Sequence, residues 1–280
     1  MTLSVLPASV PDTLNVMQFR NIIGYKFVGI TDPLGWKSIF KDRCDSLALK
    51  GTVILAPEGI NLALAGEPAA IQEFLQFLRF DQSFGGRFTD LAVKESKSPD
   101  QPFGKMVIRV EKEIITMRHP LICTDTQRAP SVAPAKLKQW IDQGVDEQGR
   151  EVVLLDARND YEVEMGTFDG AVNLGIDVFH KFPAALASLA PDLASEKVVV
   201  SFCTGGIRCE KAALYMQQVG YKNVYQLDGG ILKYFEEVGG AHWQGDCFVF
   251  DERVAVDPEL NEIAKPDGWL EERRRRAGQP

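Results

Sequence analysis

The sequence predicts an α/β protein with two domains, in which a small α+β domain precedes a domain built on a mainly parallel sheet. Three observations predict this arrangement. The N-terminal third orders its elements as strand, helix, strand, strand, helix, strand. After residue 134, short apolar strands alternate with helices, which is typical of a parallel sheet covered on both faces. At 280 residues, the chain is also long enough to bury two separate cores.

The N-terminal elements follow from the spacing of apolar and turn-forming residues. Alternating apolar residues predict a strand over 21–30, and the proline after an aspartate predicts a helix that begins at Pro33. Two short apolar runs on either side of residues 57–59 predict a hairpin. Apolar residues at helical spacing predict a helix over 68–79, and a last strand is expected over 88–94. A split βαβ of this order is the ferredoxin-like or acylphosphatase-like sandwich.

The connection between the two domains is polar and contains prolines. A loop is expected over 95–102, a further hairpin from strands at 106–110 and 113–117, and the main boundary within 124–134. The predicted domains are therefore an N-terminal domain over 1–97, a hairpin and linker over 98–134, a parallel-sheet domain over 135–243 and a C-terminal tail over 244–280.

The second domain reads as a regular series of strands and helices. Strands are predicted at 152–156, 171–174, 198–202 and 223–227, and helices at 159–165, 183–189, 209–219 and 231–238. In sheets of this kind the reactive site lies beyond the carboxyl ends of the strands. Cys203 follows the strand over 198–202 and therefore lies at that edge.

The loop after this strand is the strongest functional signal in the chain. It contains Cys203, Thr204, Gly205, Gly206, Ile207 and Arg208. Backbone N–H groups of such a loop can converge on one point, where the following helix N-terminus adds positive potential. A thiol at that point should have a lowered pKa and be a nucleophilic thiolate. The plainer interpretation, a small apolar residue that closes a core strand, does not explain the two glycines and the arginine.

Arg208 has two possible roles at the end of this loop. Its guanidinium can offer forked donors to an anion on the sulfur, or it can hold the loop in place. The Cys-x4-Arg spacing is one residue shorter than the Cys-x5-Arg loop of phosphatases. The smaller cradle suits a sulfur atom better than a tetrahedral phosphate and argues against a phosphatase.

Three further residues are candidates for supporting the site. Asp156 and Arg158 end the first strand of the second domain, where they either support the site electrostatically or form an ion pair that holds the fold. Cys209 is either a resolving cysteine for an oxidised or persulfidated Cys203, or a helix residue that faces the core. Cys44, Cys123 and Cys247 are expected to be packing residues.

Composition limits the classes of function. The five cysteines are odd in number and contain no CxxC pair, which disfavours a disulfide framework and a zinc site, and no metal is expected. The net charge of −8 counts against a nucleic-acid binder overall. The basic stretch over 94–118 still allows a local RNA contact, with Lys94, Lys105 and Arg109 as the candidates. No membrane-length apolar run and no basic leader occur, so a cytoplasmic protein is expected.

Several longer strings resemble known proteins. Residues 154–158, 161–162, 166–173, the loop that starts at Cys203 and residues 228–231 resemble a rhodanese domain. More narrowly, residues 55–61, 203–212, 225–236 and 247–253 are similar to the bacterial tRNA uridine(34) hydroxylase family. This resemblance implies formation of 5-hydroxyuridine at the wobble position, in the anticodon region of tRNA. It also implies molecular oxygen as co-substrate, no further identified cofactor, and Cys203 as the catalytic cysteine.

The chain departs from this family in one respect. Two alternative functions are also considered. Many members continue into a cysteine-rich, metal-binding-like tail, whereas residues 258–280 contain no cysteine, so no metal is carried over. A sulfurtransferase that carries a persulfide on Cys203 is the main alternative. A non-catalytic rhodanese-like binding module is the other, and the intact loop from Cys203 to Arg208 argues against it.

Overall fold

A computed structural model of the chain describes residues 18–119, 122, 127–189 and 196–263. Within these residues, two five-stranded sheets form, one in each half of the chain. The predicted fold class is confirmed: an α+β sandwich precedes an α/β domain with a parallel sheet.

The N-terminal sheet has the strand order of a split βαβ sandwich with one strand added. Its elements are β1 (Phe19–Phe27), α1 (Pro33–Ser46), β2 (Lys50–Ala56), β3 (Gly59–Gly66), α2 (Pro68–Phe80), β4 (Val93–Ser98) and β5 (Met106–Val110). The strands lie in the order β4-β1-β3-β2-β5. The pairs among β1 to β4 are antiparallel, and β5 adds to the edge in parallel to β2.

The two long helices of this half form where local signals place them. The carboxylate of Asp32 accepts a hydrogen bond from the Gly35 N–H at 2.8 Å and caps α1, whose first residue is the predicted proline. Apolar residues of α2 turn inward, and they pack with Phe40 and Phe84 in one aromatic core. The helices thus cover one face of the sheet and leave its other face to the second domain.

Three predictions in this half are wrong in whole or in part. The last strand of the sandwich runs over 93–98 rather than 88–94, because Phe88 instead turns into the core against Trp36. The first part of the predicted loop over 95–102 is therefore strand. The predicted hairpin does not form, since β5 pairs with β2 and residues 113–117 are not a strand.

The second domain confirms the predicted alternation of strands and helices, with β8 lying outside its five-stranded sheet. Its elements are β6 (Ser131–Val132), α3 (Pro134–Gln143), β7 (Val152–Asp156), α4 (Asp160–Val163), β8 (Gly166–Phe168), β9 (Val172–Asn173), α5 (Phe182–Ala187), β10 (Val198–Phe202), α6 (Ile207–Gln218), β11 (Val224–Leu227) and α7 (Gly230–Val238). The strand order is β6-β11-β10-β7-β9, and every pair is parallel. Because α6 begins at Ile207 rather than at Cys209, Arg208 lies in its first turn.

The C-terminal segment forms short strands and a buried ion pair, and it joins the two halves of the molecule. β12 (Trp243–Gly245) pairs with β8, and β13 (Cys247–Phe248) pairs with β14 (Ala255–Val256). Between these last two strands, Arg253 pairs with Asp251 and donates from Nη1 to the Ser96 hydroxyl of β4 at 2.8 Å. The C-terminal segment therefore bridges the N-terminal sheet and the second domain. No helix of the described ranges is long and apolar enough to cross a membrane.

Candidate active site

The loop from Cys203 to Gly206 connects a fully buried strand to the N-terminus of α6. Every residue of β10 is buried, and Cys203 itself is 0% exposed. Gly206 caps α6 with φ +98, a conformation that side chains disfavour. This turn directs the Gly206 N–H at the Cys203 Sγ, at a distance of 3.2 Å. The predicted cradle of backbone donors is therefore present.

A second glycine turn supports the loop from behind. The Ile231 N–H donates to the Cys203 carbonyl at 3.0 Å, and the Leu232 N–H donates to the Thr204 carbonyl at 3.1 Å. Gly230 makes this contact possible, because a Cβ there would lie 2.4 Å from the Cys203 carbonyl oxygen. Gly229 and Gly230, which follow β11, thus hold the loop after Cys203 in its conformation.

The surroundings of Cys203 strongly favour its thiolate. Burial by itself raises the pKa of the thiol, because it disfavours the charged form. A hydrogen bond from the Cys209 thiol, the positive charge of Arg208 and the backbone N–H groups of Cys209 and Arg208 act in the opposite direction. Together they lower the pKa of Cys203 to about 5, so the group is ionised at neutral pH.

Arg208 is engaged by a carboxylate that sequence reasoning did not assign. Its two terminal nitrogens donate to the two Glu162 oxygens at 2.5 and 2.7 Å, and Glu162 is 0% exposed. The geometry therefore favours the second of the two roles considered for Arg208, which is to hold the loop. The available signal was the capping box of α4, in which the Glu162 side chain accepts from the Asn159 N–H at 3.2 Å.

Asp156 and Arg158 pair with each other beneath the site. Both are 0% exposed, and Arg158 also donates to the carbonyls of Gly166 and Glu162, at 2.6 and 3.3 Å. The Thr167 hydroxyl donates to Asp156 at 2.9 Å. These contacts favour the alternative of an ion pair that holds the fold, since they tie β7 to α4 and β8.

Cys209 lies in the core directly beside the nucleophile. It is 0% exposed, and its pKa is raised well above the usual value by burial, by the hydrogen bond to Cys203 and by the charge on that sulfur. Its thiol therefore stays protonated and acts as a donor to the Cys203 thiolate. Cys44 and Cys247 are buried packing residues as expected, and Cys123 lies outside the described residues.

The three basic residues expected to contact RNA do not lie together. Lys94 is on β4, where its ammonium donates to the Gly205 carbonyl of the catalytic loop at 2.9 Å. Lys105 and Arg109 are exposed at and next to β5, the opposite edge of the same sheet. Four strand spacings, about 19 Å, separate the two edges. The expected groove lined by all three residues is therefore wrong as a single surface.

A buried lysine next to the loop joins the two domains and was missed from the sequence. Lys211 on α6 is 1% exposed, and its ammonium donates to Glu58 at 2.8 Å and to Glu113 at 2.7 Å. It also donates to the Ile115 carbonyl at 2.9 Å. The turn between β2 and β3 is thereby attached to the catalytic helix. The sequence carries no local signal for this role, because Lys211 follows the charged residues Arg208 and Glu210 in the same helix and all three are buried.

No metal-binding arrangement stands out in the part of the chain that the structure describes, where no group of three or more His, Cys, Asp or Glu side chains is placed to hold an ion. The site offers a Cys203 thiolate that accepts hydrogen bonds from N–H donors of its loop. The sheet of the N-terminal domain lies over this loop.

Comparison with known proteins defines the class. Residues 19–114 match a family model described as the UPF0176 acylphosphatase-like domain, and residues 133–237 match the rhodanese-like domain. The molecule is thus a rhodanese-like protein with an acylphosphatase-like domain before it. A solved rhodanese-like domain from Anabaena has a slighter likeness, with a TM-score of 0.34 and 19% identity over 49% of this chain and 87% of that one.

Curated relatives narrow the class to one family. A Cupriavidus necator protein named tRNA uridine(34) hydroxylase is 57% identical over 87% of this chain and 85% of its own length. A Burkholderia thailandensis protein of the same name is 54% identical over 86% of this chain and 81% of its own length. The chain belongs to the tRNA uridine(34) hydroxylase family.

Proposed function

We propose that this protein hydroxylates uridine 34 of tRNA to 5-hydroxyuridine, with Cys203 as the nucleophile and molecular oxygen as co-substrate. The single observation that carries the proposal is the cradle around the Cys203 sulfur, which makes this buried thiol an anion at neutral pH. The high identity to relatives that bear this name supports the choice of substrate. The place of action is the cytoplasm, where tRNA is modified.

A thiolate suits chemistry at carbon 5 of uracil. Addition of the Cys203 Sγ lone pair to carbon 6 moves the ring π pair towards carbon 5, the atom that must bond to oxygen. The loop amides and Arg208 favour the anionic sulfur before this addition and after its release. The overall reaction consumes oxygen and a two-electron reductant and releases water.

Access to the thiol requires movement at the domain junction. Cys203 is 0% exposed, and the N-terminal sheet covers its loop. A Cβ on Gly205 would lie 3.3 Å from Ile23, and one on Gly206 would lie 3.1 Å from the Tyr25 hydroxyl. A uridine therefore reaches the sulfur only after the β1 side chains above the loop move aside, and the base must first leave the anticodon stack.

The persulfide-carrying sulfurtransferase is the second candidate, because an N–H donor directed at the Cys203 sulfur also favours the anion of a persulfide. An assay with purified protein, tRNA that lacks the modification and a dithiol as the two-electron reductant distinguishes the two. We expect digestion to nucleosides and mass spectrometry to show a uridine that has gained one oxygen atom, in air but not under nitrogen. Without the dithiol and under nitrogen, release of sulfite from added thiosulfate together with a gain of one sulfur atom on Cys203 would instead establish sulfur transfer.

A further inference from the structure

Lys94 of the N-terminal domain reaches into the catalytic loop of the second domain. It lies on β4, opposite Ile23 of β1, and 111 positions before the residue that it contacts. Its Nζ donates to the Gly205 carbonyl at 2.9 Å and lies 5.8 Å from the centre of the Tyr25 ring. The contact is thus the point where the sheet of one domain meets the loop of the other.

The geometry of one peptide bond links this lysine to the sulfur. The Gly205 carbonyl and the Gly206 N–H belong to the same peptide unit, and in a trans peptide they point in opposite directions. The Gly206 N–H donates to the Cys203 Sγ at 3.2 Å, so the carbonyl points away from the sulfur, towards Lys94. The peptide plane is therefore held at both ends, by the sulfur and by the ammonium.

A charged donor on the carbonyl strengthens the N–H at the other end of the same peptide. Hydrogen bonds in series polarise one another, and the effect is larger where water is excluded. Burial lowers the pKa of Lys94, whereas the negative charges of Cys203 and Asp228 raise it again. Lysine and thiolate therefore favour each other's charged form.

We propose that Lys94 is a positioning residue of the active site, which holds the Gly205–Gly206 peptide so that its N–H stays directed at the Cys203 sulfur. The N-terminal domain then completes the active site rather than serving only to contact RNA. This inference rests on Cys203 being the nucleophile, as in the proposed function, but it requires neither tRNA nor oxygen.

Other charged and titratable groups surround the sulfur and must be kept unchanged in a test. They are Arg208 and Cys209 on α6, Glu162 on α4, Tyr25 on β1, and Glu210, Asp228 and Lys233 near Tyr25 and Lys94. Substitutions are therefore confined to β4. Lys94→Met removes both the charge and the donor, and Lys94→Arg restores both. Lys97→Met is the matched control, because Lys97 is an exposed lysine of the same strand.

The experiment measures the rate of Cys203 alkylation by iodoacetamide as a function of pH, with peptide mapping to locate the label. We expect Lys94→Met to shift the midpoint upward by about one pH unit, which lowers the rate about threefold at about pH 5.5. Lys94→Arg and Lys97→Met should retain the wild-type profile. A wild-type profile for a folded Lys94→Met protein overturns the proposal.

Two further measurements keep the test decisive. If Lys94→Met does not unfold cooperatively, Lys94→Gln replaces it, since glutamine keeps an N–H donor without the charge. If the glutamine donor reaches the Gly205 carbonyl, the shift should be smaller than that of a variant without a donor, so Lys94→Leu is measured beside it, and an unshifted profile for folded Lys94→Leu contradicts the proposal. If Lys94→Met changes only the KM for tRNA and leaves the alkylation profile intact, Lys94 is an RNA contact. A failure of the hydroxylation assay leaves the alkylation result unaffected.

Discussion

Cys203 and Cys247 have the same side chain and the same full burial, yet they ionise very differently. The pKa of Cys203 is about 5, whereas burial raises the pKa of Cys247 to about 12. Both lie near an arginine whose charge lowers the pKa: Arg208 for Cys203 and Arg158 for Cys247. Each of these arginines is paired with a carboxylate.

The two sites differ in the donors directed at the sulfur and in the nearby carboxylates, since the charges of Glu162 and Asp156 raise the pKa of Cys247 further. Cys203 ends a strand before a helix N-terminus, where backbone N–H groups and the Cys209 thiol point at it. Cys247 lies within β13, where its thiol faces the Phe248 carbonyl oxygen at 3.7 Å. Reactivity therefore comes from the loop geometry rather than from burial or from a nearby cation.

The largest expected effect is the loss of activity on removal of the Cys203 thiol, the proposed nucleophile. Cys203→Ser should lower the rate of 5-hydroxyuridine formation by at least about 10⁴-fold, because a serine hydroxyl is not ionised at neutral pH. Cys247→Ser, a substitution of the same type at a buried site, should retain the rate of the wild type once folded. Quantitative nucleoside mass spectrometry measures both. Comparable losses in the two variants would remove the distinction between the sites.

The next effect concerns the glycine turn behind the loop. Gly230 and Gly144, the residue that caps the end of α3, have φ of +69 and +71, so alanine is disfavoured at both, at a cost of about 1 kcal/mol. Only at Gly230 does the new Cβ meet the loop, 2.4 Å from the Cys203 carbonyl oxygen, whereas nothing lies within 4 Å at Gly144. Gly230→Ala should therefore lower the rate about 100-fold.

Gly144→Ala is the control, because its new side chain meets no neighbour. It should shift the urea midpoint slightly and keep the rate of the wild type. If the two alanine variants lose activity to the same extent, the backbone conformation rather than the contact with the loop explains the loss.

A smaller effect is expected from the neighbouring thiol. Cys209→Ala removes a donor to the Cys203 sulfur, so the pKa of Cys203 should rise by about one unit towards that of Cys247. The pH profile of Cys203 alkylation measures the shift. Cys44→Ala, at a buried cysteine of the N-terminal core, serves as the control and should leave the profile unchanged. An unaltered profile for Cys209→Ala would assign the low pKa to Arg208 and the amides alone.

The smallest effect concerns RNA affinity, and the substitutions involved should leave the pKa of Cys203 unchanged. Lys105 and Arg109 are exposed on the β5 edge, away from the catalytic loop. If they contact tRNA phosphates, replacing both by alanine should reduce the slope of log affinity against log salt by about one per contact. Filter binding at several salt concentrations measures this slope. An unchanged slope shows that this edge does not bind RNA.

The sequence predicted the parts of the molecule that have strong local signals. The apolar strand before Cys203 and the glycines after it lie within one short stretch, so the loop and its chemistry could be read directly. Long amphipathic helices such as α2 were placed almost to the residue for the same reason. The edge strand β4 was not, because it is polar and has no continuous apolar face.

The partners of the site residues could not be predicted, since they depend on tertiary contacts. Glu162 lies 46 positions from Arg208, and Lys94 lies 111 positions from Gly205. Sequence alone showed only that each residue was charged, and a charged residue is most often exposed. The interpretation of Lys94 as an RNA contact followed from that expectation, whereas the fold turns it towards the loop.

The central claim is that the geometry of its loop makes Cys203 a thiolate although it is fully buried. The most direct test is to compare the ionisation of Cys203 and Cys247 in the wild-type protein. Timed alkylation with iodoacetamide across pH, followed by peptide mapping, reports Cys203 and Cys247 in the same sample. We expect the rate of Cys203 alkylation to reach half its maximum near a pH of about 5, because the thiol is unreactive below its pKa and ionised above it. Cys247 should remain unlabelled up to at least about pH 9. Labelling of both cysteines with a common midpoint above about pH 8 would contradict the central claim.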